Sequence, residues 1–395
     1  MDFGFTKEQE AFRQELRNFL EAEMPPHMIM PVINPAEDLY RDEVWELHKI
    51  IAPKMGERGW LSLTWPKKYG GMEADEIMSC IFQEEIRYFA APGWDPQGVS
   101  MVAPLVMHYG TSEQQEKHIP PIARGELFWC EGYSEPDVGS DLASVRTTAV
   151  QEGDSFIING QKLWTSGANK TDWCHMLVRT DPKAPKKHYG LTYFLVDMQT
   201  EGITVRPIKD MCGGNSLCEV FFDNVKVPPE GVLGGVNNGW QVAMALLNFE
   251  RNADVGGAAL MRRLFELVTE YLKKHDLLRD PIVQHHLADI FIDIETSRLM
   301  AYRLVGSART EAKADKSARA SMSKLFGSEA TQRVSHTMLN LLGTYGQIEQ
   351  DPELEVLQGR VGHWYLQSFT STLARGTSEI QRNILATRGL GLPRR

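Results

Sequence analysis

Three short stretches of this chain gather small residues, hydroxyls and acids in a way that could build a ligand site. The first reads Cys130-Glu-Gly-Tyr-Ser-Glu-Pro-Asp-Val-Gly-Ser-Asp-Leu142, the second Trp164-Thr-Ser166, and the third Gly376-Thr-Ser-Glu-Ile-Gln-Arg382. Gly139-Ser140 and Gly376-Thr377 put small residues where backbone can come close to a ligand. Thr165 or Ser166 can donate a hydroxyl, and Trp164 offers a flat apolar surface. Ser-Glu-Pro also starts ordinary turns and tryptophan is usually core, so these pieces alone leave both readings open. Other chemistries find no support. There is no GxxxxGK[ST] loop, and the glycines at 231, 234, 235 and 239 form no GxGxxG after a strand. No GxSxG elbow occurs. His285 and His286 are adjacent and cannot face one metal from one helical turn, so no metal site is expected.

The elements that must position these residues fall into three blocks. The 395 residues suggest two or three domains, and 42% hydrophobic with 24% charged residues is ordinary for a folded, soluble chain. Lys+Arg number 42 against 52 Asp+Glu, a formal net charge of −10, which argues against nucleic-acid binding. Five scattered cysteines without a CxxC pair fit free thiols in a reducing compartment. Neither a secretory leader nor an apolar run of about 20 residues is read, so no membrane is expected and the location is taken as cytoplasmic.

Residues 1–122 read as helical, with Thr6 and Gln9 as a capping box ahead of an apolar face at Phe12, Leu16, Phe19 and Leu20. Residues 123–232 read as a compact antiparallel β domain, a barrel or sandwich. Asn159-Gly160 between apolar runs predicts a hairpin turn there. Residues 233–395 return to long periodic segments with short breaks, a four-helix-bundle-like domain. The expectation is an α+β chain in the order α, β, α. Without more, it describes a multidomain enzyme or binding protein.

Taken together and in this order, the three stretches resemble the acyl-CoA dehydrogenase flavoprotein family. The first resembles that family's (T/S)EPxxGSD turn, the second its W-x-(T/S) segment, and the third its C-terminal signature. Asn340-Leu-Leu-Gly-Thr344 falls where the family holds the flavin pyrophosphate. The resemblance spans nearly the whole chain, and the α, β, α order matches. It implies FAD as cofactor, with Glu131, Tyr133, Ser134, Gly139, Ser140, Trp164, Thr165, Ser166, Asn340, Gly343, Thr377, Ser378 and Glu379 as its contacts. An acidic protein holding two phosphates needs backbone N–H groups and helix N-termini to do so.

The chain departs from the family at an instructive place. Many members carry a glutamate base immediately before the Gly-Thr-Ser signature. Here that position is Arg375, which cannot take up a proton. A second branch carries its base in a Glu-Arg pair on the first long helix after the β domain. Asn248-Phe-Glu-Arg251 stands at that place, making Glu250 the expected catalytic base. Ser140, Asn248, Arg251, Arg375 and Gly376 are the expected substrate contacts. The Arg-x-x-Phe-Gly segment of many members is replaced by His275-Asp-Leu-Leu-Arg279, which hints at a non-standard assembly.

The implied reaction is α,β-dehydrogenation of an acyl-CoA to the 2-enoyl-CoA. Glu250 abstracts the α-proton, the β-hydrogen leaves as hydride to the flavin, and electrons pass to an electron-transferring flavoprotein. Implied assemblies are a homo-oligomer (dimer or homotetramer) or a mixed tetramer with a homologous chain. Two rival readings keep the fold: a non-catalytic partner subunit, and an oxygen-using oxidase or monooxygenase.

Overall fold

The computed structural model describes residues 4–25, 39–250, 255–306, 313–348 and 357–393, without the side chains of 248–250 and 313–316. The chain divides into two compact units that cut across sequence order. A helical unit gathers residues 1–35, 74–91 and 251–395, and a sheet unit gathers 36–73 and 92–250.

In the helical unit the described helices are α1 (Lys7–Glu23), α3 (Glu76–Tyr88), α7 (Val255–Lys274), α8 (Pro281–Gly306), α9 (Lys313–Leu342), α10 (Arg360–Ser371) and α11 (Ser378–Ile384). Helix α1 starts as its sequence predicts. The Thr6 hydroxyl accepts the Gln9 N–H at 3.2 Å, and the Gln9 amide oxygen accepts the Thr6 N–H at 2.9 Å. Phe12, Leu16, Phe19 and Leu20 are all buried, the apolar face read from their spacing. The bundle core is Leu264, Val268 and Leu272 on α7, Ile290 and Ile294 on α8, Val334 and Met338 on α9, and Trp364 on α10. His285 and His286 are exposed on α8, and His285 lies 3.3 Å from Asp289. No described helix is long and apolar enough to cross a membrane.

The sheet unit carries α2 (Asp42–Glu57), α4 (Ala103–Tyr109), α5 (Ser112–Ala123) and α6 (Gly239–Glu250) around one sheet. Its strands are β1 (Trp129–Gly132), β2 (Thr148–Glu152), β3 (Ser155–Lys162), β4 (Trp173–Arg179), β5 (Leu191–Asp197), β6 (Ile203–Pro207), β7 (Cys218–Val227) and β8 (Val232–Leu233). The order is β6-β7-β3-β2-β4-β5-β8, with β1 beside β4. Most pairs are antiparallel, but β1 runs parallel to β4, a departure from the all-antiparallel expectation. Cys174, Met176, Val178, Phe194 and Val196 pack into the sheet's own core. The opposite face of β4 and β5, with His175, Leu177, Tyr193 and Leu195, is buried too, and α6 packs against both strands. Burial on both faces explains why these strands read as nearly unbroken apolar runs.

The predicted hairpin at Asn159-Gly160 is not there. Strand β3 runs straight through both residues, and the turn lies instead at Gly153-Asp154, between Glu152 and Ser155. Gly160 instead marks a bulge against β7, at φ 148°, and a Cβ on it would sit 2.6 Å from the Thr147 hydroxyl. Its glycine answers a close approach, not a reversal. Gly239 does similar work at the start of α6. A Cβ there would meet the backbone of Thr192 and Tyr193 at 2.5 to 2.6 Å, so only glycine lets this helix lie so close to β5.

Candidate active site

The first two signature stretches lie together in the sheet unit. Strand β1 leads into Tyr133 and Ser134, and the Ser134 carbonyl accepts the Leu163 N–H at 2.8 Å. Next comes a tight turn in which Glu135 and Val138 exchange both backbone hydrogen bonds, at 2.9 and 3.0 Å. Beneath it lies a group the sequence reading did not single out. The fully buried Lys162 ammonium donates to the Glu135 carboxylate at 2.8 Å and to the carbonyls of Leu177 (2.8 Å) and Tyr133 (3.2 Å). Glu135 also accepts the N–H groups of Arg146 (2.6 Å) and Thr147 (3.0 Å). Burial alone would push the Glu135 carboxyl up; Lys162 and the hydrogen bonds outweigh it and hold it below the usual carboxylate range. For Lys162 burial wins, and its pKa is lowered despite Glu135. All three ammonium protons thus have acceptors, which lets a charge persist in a dry core.

The signal for this pair was present. Phe156, Ile158 and Lys162 share strand parity on β3, and the first two are buried. A lysine on the inward parity needs an acid partner.

Trp164 has φ 62° and the residue is 55% exposed, so it is not core. Thr165 follows, locked to Cys218 by a reciprocal pair of backbone bonds at 3.0 and 3.2 Å. Its side chain is buried, yet its hydroxyl has no hydrogen-bond partner among the described residues, and neither has the buried Ser216 hydroxyl nearby. Ser216 accepts the Gly167 N–H through its carbonyl at 2.8 Å, so it flanks the same segment. Ser134 and Ser166 are half-buried, while Gly139 and Ser140 are exposed, with open space where a Gly139 Cβ would lie. Orphaned hydroxyls beside an exposed aromatic face and an open Gly-Ser turn suit a polar, planar ligand with anionic groups, and FAD is such a molecule. Glu131 is half-buried on β1, its residue paired in register with His175.

The third stretch lies in the helical unit. Arg375 (φ 57°) and Gly376 (φ 83°) both take left-handed backbone before α11. The Gln381 amide donates to both their carbonyls, at 3.1 and 3.3 Å. Thr377 caps α11 by accepting the Ile380 N–H at 3.3 Å. The buried Ser378 hydroxyl has no partner among the described residues, and the Gly376 N–H donates to none of them. Glu379 is exposed in the first turn, and its carboxyl is lowered by hydrogen bonds from its own N–H and from Thr377. Asn340 is exposed near the end of α9, and Gly343, at φ 62°, begins the turn after it. Glu250 is the last residue of α6, but its side chain and that of Asn248 lie outside the described residues, as does Arg251 entirely.

Comparison with known proteins completes the picture. Residues 6–126, 130–225 and 237–390 match the N-terminal, middle and C-terminal domains of acyl-CoA dehydrogenases. The chain belongs to the acyl-CoA dehydrogenase family. Acyl-CoA dehydrogenase FadE26 of Mycobacterium tuberculosis is 34% identical over 402 residues, covering 100% of this chain and 99% of that protein. The mouse mitochondrial short-chain specific enzyme is 28% identical and covers 95% and 88%. Among solved structures, the Tcur3481-Tcur3483 steroid ACAD superposes with a TM-score of 0.92 at 31% identity, covering 100% of both chains. The ChsE4-ChsE5 complex from Mycobacterium tuberculosis gives 0.89 at 33%, again covering 100% of both. Members of the family are flavoproteins, which makes this acyl-CoA dehydrogenase an FAD-dependent oxidoreductase.

Proposed function

We propose that this acyl-CoA dehydrogenase converts an acyl-CoA thioester to its 2-enoyl-CoA and delivers the electrons to an electron-transferring flavoprotein. The observation that carries the reading is the buried hydroxyls of Thr165 and Ser216, without a hydrogen-bond partner among the described residues, at the segment that follows the exposed Trp164. FAD, when bound, supplies the two-electron acceptor for the hydride that leaves Cβ. Glu131, Tyr133, Ser134, Gly139, Ser140, Trp164, Thr165 and Ser166 would hold its ring end. Thr377, Ser378 and Glu379 would serve its phosphate-bearing part, and Asn340 and Gly343 would reach the cofactor of a neighbouring subunit.

Glu250 takes the Cα proton. An apolar acyl chain that expels water raises that carboxylate's pKa and makes it a stronger base. The Gly376 N–H, which donates to no described residue, is available to the thioester oxygen where negative charge develops. Arg375, as the residue standing where many relatives have a carboxylate, leaves this proton transfer to Glu250. Ser140, Asn248 and Arg251 would line the acyl-CoA.

The likeness to a steroid ACAD favours a bulky, polycyclic acyl group. The same likeness, and that to a two-protein complex, favours a mixed tetramer with a homologous chain over a homo-oligomer. Five scattered cysteines without a CxxC pair favour a reducing location, the cytoplasm.

The test is anaerobic titration of the purified yellow protein, alone and co-expressed with its homologue, against a panel of acyl-CoAs. Bleaching of the flavin band by one class of thioester is the expected result. A flavin that no acyl-CoA bleaches in either preparation would overturn the reading.

A further inference from the structure

Helix α8 (Pro281–Gly306) is apolar on two sides. Leu287, Ile290, Ile294, Ala301 and Leu304 are buried, and the first three join the bundle core. At about 100° per residue, the opposite side runs through His285, Ala288, Ile292, Thr296, Leu299 and Arg303. A side turned away from the core should be the most polar one. Instead Ile292 is 61% exposed and Leu299 57% exposed, with the exposed Ala288 and half-buried Thr296 beside them. Single exposed apolar residues are ordinary; an apolar stripe along one helix face marks a contact surface. His285, Ile292 and Leu299 stand seven residues apart, and so do Asp289, Thr296 and Arg303. That is the repeat of two helices packed at a small crossing angle.

Charges on the flanks of this stripe are paired inside the chain. Asp293 lies 2.9 Å from Arg333, Glu295 lies 3.3 Å from Arg262, and Arg298 lies 2.9 Å from Glu84. The two charges at the ends of the stripe are placed differently. Asp289 is exposed, with His285 at 3.3 Å, and Arg303 is exposed, with no ion pair among the described residues. They have opposite signs and are about 21 Å apart along the helix, too far to meet within one chain. Their midpoint is Thr296. The midpoint of Ile292 and Leu299 falls beside it, between residues 295 and 296.

We propose that this face of α8 is a two-fold interface between two copies of this chain. With the helices antiparallel and the axis beside Thr296, Ile292 of one protomer meets Leu299 of the other. Asp289 of one then meets Arg303 of the other, and each contact is made twice. The order of the charges is what selects a second copy. A homologue of different sequence has no need of a stripe that is symmetric about its own midpoint. In the mixed tetramer proposed above, two copies of this chain meet through α8 and the homologue occupies other faces. The inference does not depend on the acyl-CoA chemistry, and a homo-oligomer would pair in the same way.

Native mass spectrometry and sedimentation velocity count the copies of this chain per particle, for the chain alone and co-expressed with its homologue. The parent should hold two copies, or four in a homotetramer. Ile292→Lys combined with Leu299→Lys should halve that number. Both side chains are exposed, so the protomer should still fold, which circular dichroism checks. Exchange of charge is the sharper arm and leaves the apolar stripe intact. Asp289→Arg or Arg303→Asp alone sets like charges against each other at both ends and should weaken association by about tenfold. The double variant restores opposite charges and should recover the parent affinity, a rescue that cannot pass within one helix. A parent with one copy per particle, an unchanged copy number in the double lysine variant, or a charge exchange without rescue would overturn the inference. So would loss of the homologue while the copies of this chain stay together. None of these outcomes bears on the reaction, which the bleaching titration reads separately.

Discussion

The turn after β1 and the loop before α11 both carry signature residues, yet they are stabilised by opposite means. The turn rests on a charge pair at the bottom of the sheet unit, where Lys162 is wholly buried and every donor has an acceptor. The loop before α11 is exposed at Arg375, spends two consecutive residues in left-handed backbone, and is tied by neutral amide bonds from Gln381. A buried ion pair is costly to break, because the survivor is left charged and dry. An exposed loop tied by amides fails gradually. The contrast teaches that the first region tolerates almost no change in charge, whereas the second has room for side-chain variation, and the replacement of a family glutamate by Arg375 falls in the second.

The largest expected effect belongs to neither region and so tests whether both merely hold ligands. Glu250→Gln keeps shape and some hydrogen bonding but cannot accept a proton. It should slow flavin reduction by roughly 10²–10⁴-fold, about 3–5 kcal/mol of barrier, with FAD content unchanged. Stopped-flow reduction at saturating acyl-CoA reads it. A rate within a few-fold of the parent would move the base elsewhere.

Next is Lys162→Met, which strands the Glu135 carboxylate and leaves the Tyr133 and Leu177 carbonyls without this donor. A loss of about 3–5 kcal/mol is expected in urea unfolding, with FAD content falling alongside. Adding Glu135→Gln should restore part of the stability, since the stranded charge is then gone. If the single variant lost less than about 1 kcal/mol, the contrast between the two regions would collapse.

A gentler probe is pH. The folded Glu135 carboxyl is held below its unfolded value of about 4.3. Its contribution is therefore complete above that value and is lost as pH falls through the lower folded value. Glu135→Gln has no such group, so the stability gap between parent and variant should narrow on acidification below pH ~4. A gap that stays constant down to pH 3 would mean that the carboxyl is not stabilised by its partners.

How much of this was legible in the sequence depends on the range over which each feature acts. The Thr6 capping box spans three residues and is legible in the sequence, as are the helical faces that repeat within one element. Lys162 was legible in principle from strand parity, but its partner Glu135 is 27 residues away and only the pleat of a correctly placed β3 brings them together. A reversal placed at Asn159-Gly160 flips that parity and hides the pair. The parallel pairing of β1 with β4 joins Trp129 to Trp173 and follows no local signal. The Gln97–His175 contact bridges 78 residues, and neither residue type announces a partner. Signature stretches survive this difficulty because they are read whole; a supporting side chain is visible only once the strands are in register.

The smallest effect is expected at Arg375→Gly, and it is the sharpest check on the loop before α11. Arginine at φ 57° pays about 1–2 kcal/mol for left-handed backbone, which glycine relieves. Glycine gives back roughly 0.5–1 kcal/mol through the greater freedom of the unfolded chain. The side chain is exposed, so the contacts it makes are worth no more than about 1 kcal/mol in solvent. These terms nearly cancel, and the variant should unfold within about 1 kcal/mol of the parent, with Thr377 still capping α11 and FAD retained. Urea unfolding with flavin absorbance measures both. A loss above about 2 kcal/mol would show that the contacts of the Arg375 side chain hold this loop as much as the Gln381 amide does.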